Sequence, residues 1–89
     1  MPVQILKIVN EKGLHARASA KFVEVVEAHD AAAQVSKDGM TVSGDSIMGL
    51  LMLAASRGTA IAVATSGPQA EPLAEALKQL VADRFGEEY

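Results

Sequence analysis

Hydrophobic residues repeat with two different periods along the chain, and each change of period marks a new element. Residues 3–9 alternate between apolar and polar side chains and are rich in β-branched types, which predicts a strand that ends at the polar turn 10–13. From residue 16 to about residue 28 the apolar spacing becomes helical. The apolar stripe of this first helix consists of Ser19, Phe22, Val23 and Val26. His15 directly precedes the predicted helix, at its N-cap position.

The same two periods predict three further strands and a last helix. Residues 33–37 and 40–43 form short strand candidates, and Asp38-Gly39 between them suits a type I′ hairpin turn, which needs positive φ at both central positions. Residues 60–65 alternate again and predict the fourth strand. Residues from about 69 to 84 predict an amphipathic helix. Its apolar face carries Leu73, Leu77, Leu80 and Val81.

A second helical segment, from residue 47 to about residue 55, follows Ser46. The Ser46 hydroxyl can accept a hydrogen bond from an orphan first-turn amide, and Arg57-Gly58 is the predicted exit. The inward stripe is predicted to be Leu50, Leu53 and Ala54. Four further apolar residues then lack an obvious place in the core: Ile47, Met48, Leu51 and Met52. They indicate an adaptable partner surface, and the alternative is a helix wholly covered by other elements.

The order β-α-β-β-α-β-α predicts one four-stranded sheet with helices on one face, an open-faced sandwich. The connectivity leaves two sheets open: a mixed sheet, or an antiparallel sheet built from split βα pairs. With 89 residues the chain has material for one core, and a single domain is expected over residues 1–89.

Composition removes several classes of function. The chain has no cysteine and only three aromatic residues, so thiolate metal sites, disulfides and a base-stacking platform are not expected. Its net charge is −3 and its cations are scattered, which argues against nucleic acid and anionic membranes as partners. We expect no membrane span, no signal peptide and a cytoplasmic location. Neither the histidine spacing nor any glycine-rich loop suggests a metal or another cofactor.

The segment Gly13-Leu14-His15-Ala16-Arg17 places an imidazole at the start of a helix, close to a guanidinium. First-turn amides and the helix dipole favour anions there, and Arg17 suits phosphate oxygens. A neutral imidazole could attack a phosphoryl group, and positive surroundings should favour the neutral form. The alternative is an N-cap histidine without chemistry. We interpret His29 as a solvated helix-end residue, and the tail pair Glu87-Glu88 as solvated carboxylates.

Two segments and the element order resemble the HPr family, the histidine-containing phosphocarriers of the bacterial phosphotransferase system. Residues 13–17 resemble the family's phosphohistidine motif, and residues 46–50 (Ser-Ile-Met-Gly-Leu) resemble its regulatory serine segment. The similarity runs over essentially the whole chain. It implies the family's α+β fold, an open-faced βαββαβα sandwich with a four-stranded antiparallel sheet and three helices on one face.

The resemblance also implies roles for individual residues. His15 would accept phosphate on Nδ1 from phosphorylated enzyme I and pass it to an enzyme IIA, while Arg17 would hold the phosphoryl group. Ser46 would be phosphorylated by HPr kinase/phosphorylase. The implied docking patch consists of Ala16, Ala20, Ile47, Met48 and Leu51. The protein would then be a monomeric substrate of these enzymes rather than an enzyme itself. The alternative is a regulatory module that binds partners through the second helix without transferring phosphate.

One position departs from the family pattern, which commonly has proline directly after the arginine. Here the residue is Ala18, whose N–H could donate to the phosphoryl group or whose flexibility could soften the loop. Some relatives serve a nitrogen-related regulatory chain that drives no sugar uptake. The serine segment, the alanine-rich composition and Ala18 favour that regulatory branch.

Overall fold

The structure is a computed structural model and describes residues 3–89. Met1 and Pro2, on which the signal-peptide expectation and the start of the predicted domain partly rest, lie outside the described residues. The elements occur in the order predicted from the sequence. They are β1 (Val3–Lys7), α1 (Ala16–Glu27), β2 (Ala32–Lys37), β3 (Met40–Ser43), α2 (Ile47–Met52), β4 (Ala60–Ser66) and α3 (Ala70–Ala82).

The four strands form one sheet in the order β1-β4-β2-β3, and every neighbouring pair is antiparallel. This decides between the two sheets left open by the connectivity: the split βα arrangement is present and the mixed sheet is not. Alternate residues of β4 are buried, with Ile61 and Val63 in the core as predicted. On the opposite face of the sheet Val3 and Ile5 are exposed, which makes the sandwich open-faced.

The predicted apolar stripes of the two long helices are confirmed. In α1 the residues Ser19, Phe22, Val23 and Val26 are buried, together with Ala18. In α3 the residues Leu73, Leu77 and Val81 are buried, and Leu80 packs against the core while partly exposed. Within residues 3–89 no helix has the length and apolar character needed to cross a membrane.

The hairpin between β2 and β3 also has the predicted geometry. Asp38 and Gly39 both have positive φ, at 52° and 83°, as a type I′ turn requires. Residue Lys37 pairs with Met40 directly across this turn. The turn chemistry therefore sets the register of the two strands.

The prediction for the end of the second helix was wrong. Helix α2 ends at Met52, and Ala54 has a φ of 51°, a left-handed conformation that stops the helix. Ala54 consequently points into solvent, and its neighbour Ala55 is buried instead. Leu50 and Leu53 are buried as predicted, so the inward stripe is correct except for Ala54. Arg57-Gly58 belongs to the following loop and is not the helix exit.

Candidate functional site

The loop between β1 and α1 is held by a tight approach to the segment that follows α2. Gly13 has a φ of 68°, and the Leu14 N–H donates to the Ala55 carbonyl at 2.8 Å. A Cβ on Gly13 would lie 2.5 Å from that same carbonyl oxygen. Leu14 is buried, so the loop is pinned on both sides immediately before His15.

His15 occupies the N-cap of α1, as predicted. Its carbonyl accepts from the Ser19 N–H at 2.8 Å, and its side chain forms no capping hydrogen bond. The imidazole is 27% exposed. The backbone N–H groups of residues 16 and 17 lie in the first turn of α1, where they have no carbonyl acceptor within the helix. They are therefore donors suited to an anion. His15 is thus an accessible group beside a set of oriented N–H donors.

A carboxylate that sequence reasoning missed lies against the imidazole. The Nε2 atom of His15 is 2.5 Å from Oε2 of Glu87. The Asn10 amide nitrogen donates both to Glu87 Oε1 at 2.9 Å and to the Gly13 carbonyl at 2.8 Å. The interpretation of Glu87 as a solvated tail residue was therefore wrong, and the expectation of positive surroundings for His15 omitted this carboxylate. Glu87 lies far from His15 in sequence, and no local pattern signals the contact.

The environment of Glu87 keeps its carboxylate ionised. The hydrogen bond from Asn10 is the main cause that lowers its pKa from 4.5, and the hydrogen bond and charge of His15 and the charge of Lys12 act in the same direction. Desolvation opposes these effects without reversing them. An ionised carboxylate can only accept hydrogen bonds, so Nε2 of His15 carries the proton in this contact.

Arg17 lies at the surface of α1, where it lines an open cavity of about 280 Å³. Lys12, Lys21 and Glu87 line the same cavity. Among residues 3–89 the Arg17 side chain has no ion pair or hydrogen bond, with His15 or with any other residue. Its guanidinium is available for an added anion, to which it can donate a pair of parallel hydrogen bonds.

Ala18, the position that departs from the family pattern, lies in the first turn of α1. The helix begins at Ala16, and Ala18 is fully buried among the core residues. Because no part of Ala18 reaches the surface, its N–H is not presented to a phosphoryl group, contrary to one sequence-based expectation. The departure from the family pattern leaves the position of His15 at the N-cap unchanged.

Ser46 caps α2 as predicted. Its hydroxyl accepts from the Gly49 N–H at 3.0 Å, and its backbone is extended. Next to it, Ser43 donates to Asp45 Oδ1 at 2.5 Å. A negative group at Ser46 would therefore stand at the amino end of α2 and close to an existing carboxylate.

The apolar residues of α2 that lacked a place in the core are exposed. Ile47, Met48 and Met52 are 40%, 70% and 64% exposed, whereas Leu50 is fully buried and Leu51 is half-buried. The alternative of a wholly covered second helix was therefore wrong. Helix α1 packs against α2 and carries Ala16, which is exposed, and Ala20, which is half-buried.

His29 lies just after the end of α1, as interpreted from the sequence, but it is half-buried and not fully solvated. Its Nδ1 atom lies 2.8 Å from the carbonyl oxygen of Val25 in the last part of α1. This local bond gives His29 a structural role and leaves His15 as the histidine with an accessible, oriented ring.

An open-faced sandwich of this topology, with an accessible histidine at the start of its first helix, is the arrangement that the resemblance to small phosphocarriers implies. Residues 3–83 match the family model PTS-HPr, described as the PTS HPr component phosphorylation site. The phosphocarrier protein HPr of Neisseria meningitidis is 43% identical over 84 residues, covering 94% of each chain. That of Cupriavidus necator is 42% identical over 80 residues, covering 90% of each.

A solved structure of the same family has a closely similar fold. The crystal structure of HPr-C-His from Thermoanaerobacter tengcongensis superposes with a TM-score of 0.94 at 35% identity, covering all of both chains. The chain belongs to the HPr family of phosphocarrier proteins of the phosphotransferase system. Proteins of this family carry a phosphoryl group and are not catalysts.

Proposed function

We propose that Nδ1 of His15 accepts a phosphoryl group from phosphorylated enzyme I and passes it to an enzyme IIA. The observation that supports this most directly is the position of His15. Its Nε2 faces Glu87, its ring is accessible at the helix start, and no hydrogen bond within residues 3–89 engages its Nδ1. Family membership supports the reaction, and the absence of a hydrogen bond to Nδ1 within residues 3–89 supports its assignment to that atom.

The transfer needs little more than positioning and charge stabilisation. The Nδ1 lone pair forms the new bond to phosphorus while the bond from phosphorus to the donor breaks, and the electron pair leaves with the donor. The first-turn amides and the Arg17 guanidinium then face the phosphoryl oxygens. A helix dipole contributes about 0.3–1 kcal/mol to an exposed anion, and up to about 2 kcal/mol to a partly buried one.

Incubation with enzyme I and phosphoenolpyruvate tests the proposal. We expect one phosphate per chain, labile in acid and stable in base, that is absent in His15→Ala and retained in His29→Ala. Uptake by His15→Ala, or no uptake with an enzyme I of matching origin, would contradict it. The exposed α2 also fits the alternative, a regulatory module that binds partners without transfer, and absence of phosphate with retained enzyme I binding would favour that module.

Ser46 is proposed to be the regulatory site of HPr kinase/phosphorylase. Phosphate would add a charge of about −1.5 to −2 at the amino end of α2, where it suits the helix dipole and can still accept from the Gly49 amide. It would also place a dianion beside Asp45 and next to exposed apolar side chains, where desolvation on docking is costly. We expect Ser46→Asp to fold normally and to accept phosphate from enzyme I more slowly. The control Ser43→Asp adds the same charge outside α2, and equal rates for both variants would contradict the mechanism.

The docking patch is proposed to comprise Ala16, Ala20, Ile47, Met48 and Leu51. Met48 offers the sharpest test because its large side chain is 70% exposed, so a charge there should disturb docking and not folding. We expect Met48→Lys to weaken enzyme I binding and Met40→Lys, at the exposed start of β3, to leave it unchanged. Equal enzyme I binding by the two variants would contradict the assignment of α2 to the docking patch.

Three further predictions concern context. We expect a cytoplasmic monomer, to be tested by fractionation and by sedimentation of the intact chain. We also expect the nitrogen-related regulatory branch. Offering the phosphorylated protein a nitrogen-related and a sugar-specific enzyme IIA together decides the branch, since preferential transfer to the sugar-specific acceptor would contradict the prediction.

A further inference from the structure

The chain makes an unusual turn between the end of α3 and Glu87. Arg84, Phe85 and Gly86 have consecutive positive φ values of 56°, 55° and 79°. Two of these are L residues in a left-handed conformation that such residues rarely adopt, and such strain persists only where the surroundings impose it. The turn is therefore held by contacts outside itself.

Two contacts hold the turn. The Phe85 side chain is buried in the core between the helices and the sheet, and the Phe85 carbonyl accepts from Lys21 Nζ of α1 at 2.7 Å. After the turn, Glu87 has extended backbone. The tail is thereby directed back along α1 to the start of that helix, where His15 lies.

Glu87 is held at both carboxylate oxygens. One oxygen accepts from the buried Asn10, which is itself fixed by its bond to the Gly13 carbonyl, and the other faces His15 Nε2. Its side chain is only 17% exposed. A carboxylate held in this way can contact only one edge of the imidazole, and it requires a proton on Nε2.

We propose that Glu87 is a positioning residue that holds His15 in the Nε2–H tautomer and so keeps the Nδ1 lone pair free. The tautomer is a property of the resting protein, and its use in phosphoryl transfer rests on the function proposed above. Bonding of phosphorus to Nδ1 while Nε2 keeps its proton gives the ring a positive charge. The Glu87 carboxylate then faces that charge, on the edge of the ring opposite the phosphoryl group.

Nitrogen-15 NMR of the His15 ring tests the proposal in the unphosphorylated protein. Long-range spectra of the neutral ring distinguish an Nδ1–H from an Nε2–H tautomer. We expect Glu87→Ala to raise the Nδ1–H population several-fold, and Glu87→Gln, which keeps an acceptor oxygen, to restore part of the wild-type ratio. The matched control is Glu88→Ala, which removes the same charge one residue further along, and its spectrum should equal that of the wild type.

The rate of phosphorylation by enzyme I provides the second readout. We expect a fall of about tenfold in Glu87→Ala, the lower end of the losses seen when the partner that orients a functional histidine is removed. A wild-type tautomer ratio in Glu87→Ala, or the same change in Glu88→Ala, would overturn the proposal. If even the wild type accepts no phosphate, the carrier function fails, and the tautomer spectra still decide the role of Glu87.

Discussion

Substitution of Gly13 by alanine should damage the loop that carries His15. Gly13 has a φ of 68°, and the added Cβ would lie 2.5 Å from the Ala55 carbonyl oxygen and 2.9 Å from Ser56 Cα. Both are backbone atoms, so no side-chain rotation can relieve the overlap. The Leu14–Ala55 hydrogen bond lies at the same point and would have to lengthen if the two segments moved apart.

The expected loss has two parts. A left-handed L residue costs about 1–2 kcal/mol, and overpacking of a tight contact costs about 1–3 kcal/mol more. Their sum of about 2–5 kcal/mol is large beside a total stability of about 0.05–0.15 kcal/mol per residue, or about 4–13 kcal/mol for 89 residues. The matched control is Gly39→Ala, because Gly39 has a φ of 83° and no atom within 4 Å of its added Cβ. That variant loses only the conformational part.

Urea denaturation of the two variants separates the conformational cost from the cost of overpacking. The free energy of unfolding should fall by about 1–3 kcal/mol more in Gly13→Ala than in Gly39→Ala, with similar m-values. Under conditions where both remain folded, only Gly13→Ala should accept phosphate from enzyme I more slowly, because its His15 loop is displaced. Equal losses of stability in the two variants would refute the assignment of Gly13 as a close-contact position.

Three further predictions concern the core, a cap and pH. Phe85→Ala should lower the free energy of unfolding by about 3–5 kcal/mol in urea titrations, because it empties a buried site under the tail. Ser46→Ala should cost about 1 kcal/mol through loss of the α2 cap, whereas Ser46→Asp should keep that stability. The folded pKa of Glu87 is lowered, so its stabilisation is complete above its unfolded value of about 4.5 and is lost as pH falls through the folded pKa. The stability difference between wild type and Glu87→Gln should therefore shrink from pH 7 to pH 3.

Most of the fold follows from local pattern. A few neighbouring residues suffice to predict the buried stripe of α1, the alternation of β4 and the Asp38-Gly39 turn. The structure agrees with all three predictions. The end of α2 does not follow in this way. Ala54 is a strong helix former that adopts a left-handed conformation here because Leu53 and Ala55 on either side are drawn into the core. Tertiary packing overrides local propensity at that point.

In the candidate site, too, local sequence predicts some features and tertiary packing decides others. The proposed nucleophile His15 and the cation Arg17 lie in one short segment, so the sequence contains the signal for an anion site. The group that orients the ring comes from the other end of the chain, through a strained turn at residues 84–86 that has no sequence signature. The structure buries Asn10, which must find partners there and donates to Glu87, but the sequence does not show that burial.

The geometry also explains how an accessible histidine can be specific without a pocket. The proposed transfer requires His15 to be presented to partner proteins, and the 27% exposure of its ring fits that requirement. A freely rotating ring would offer either nitrogen, which would divide the reaction between two atoms. In the proposed arrangement Glu87, itself held by Asn10, fixes Nε2 and leaves Nδ1 free for the partner. In the proposed transfer the carrier orients the ring and the docked partner excludes water, which is consistent with a family that carries phosphate without catalysis of its own.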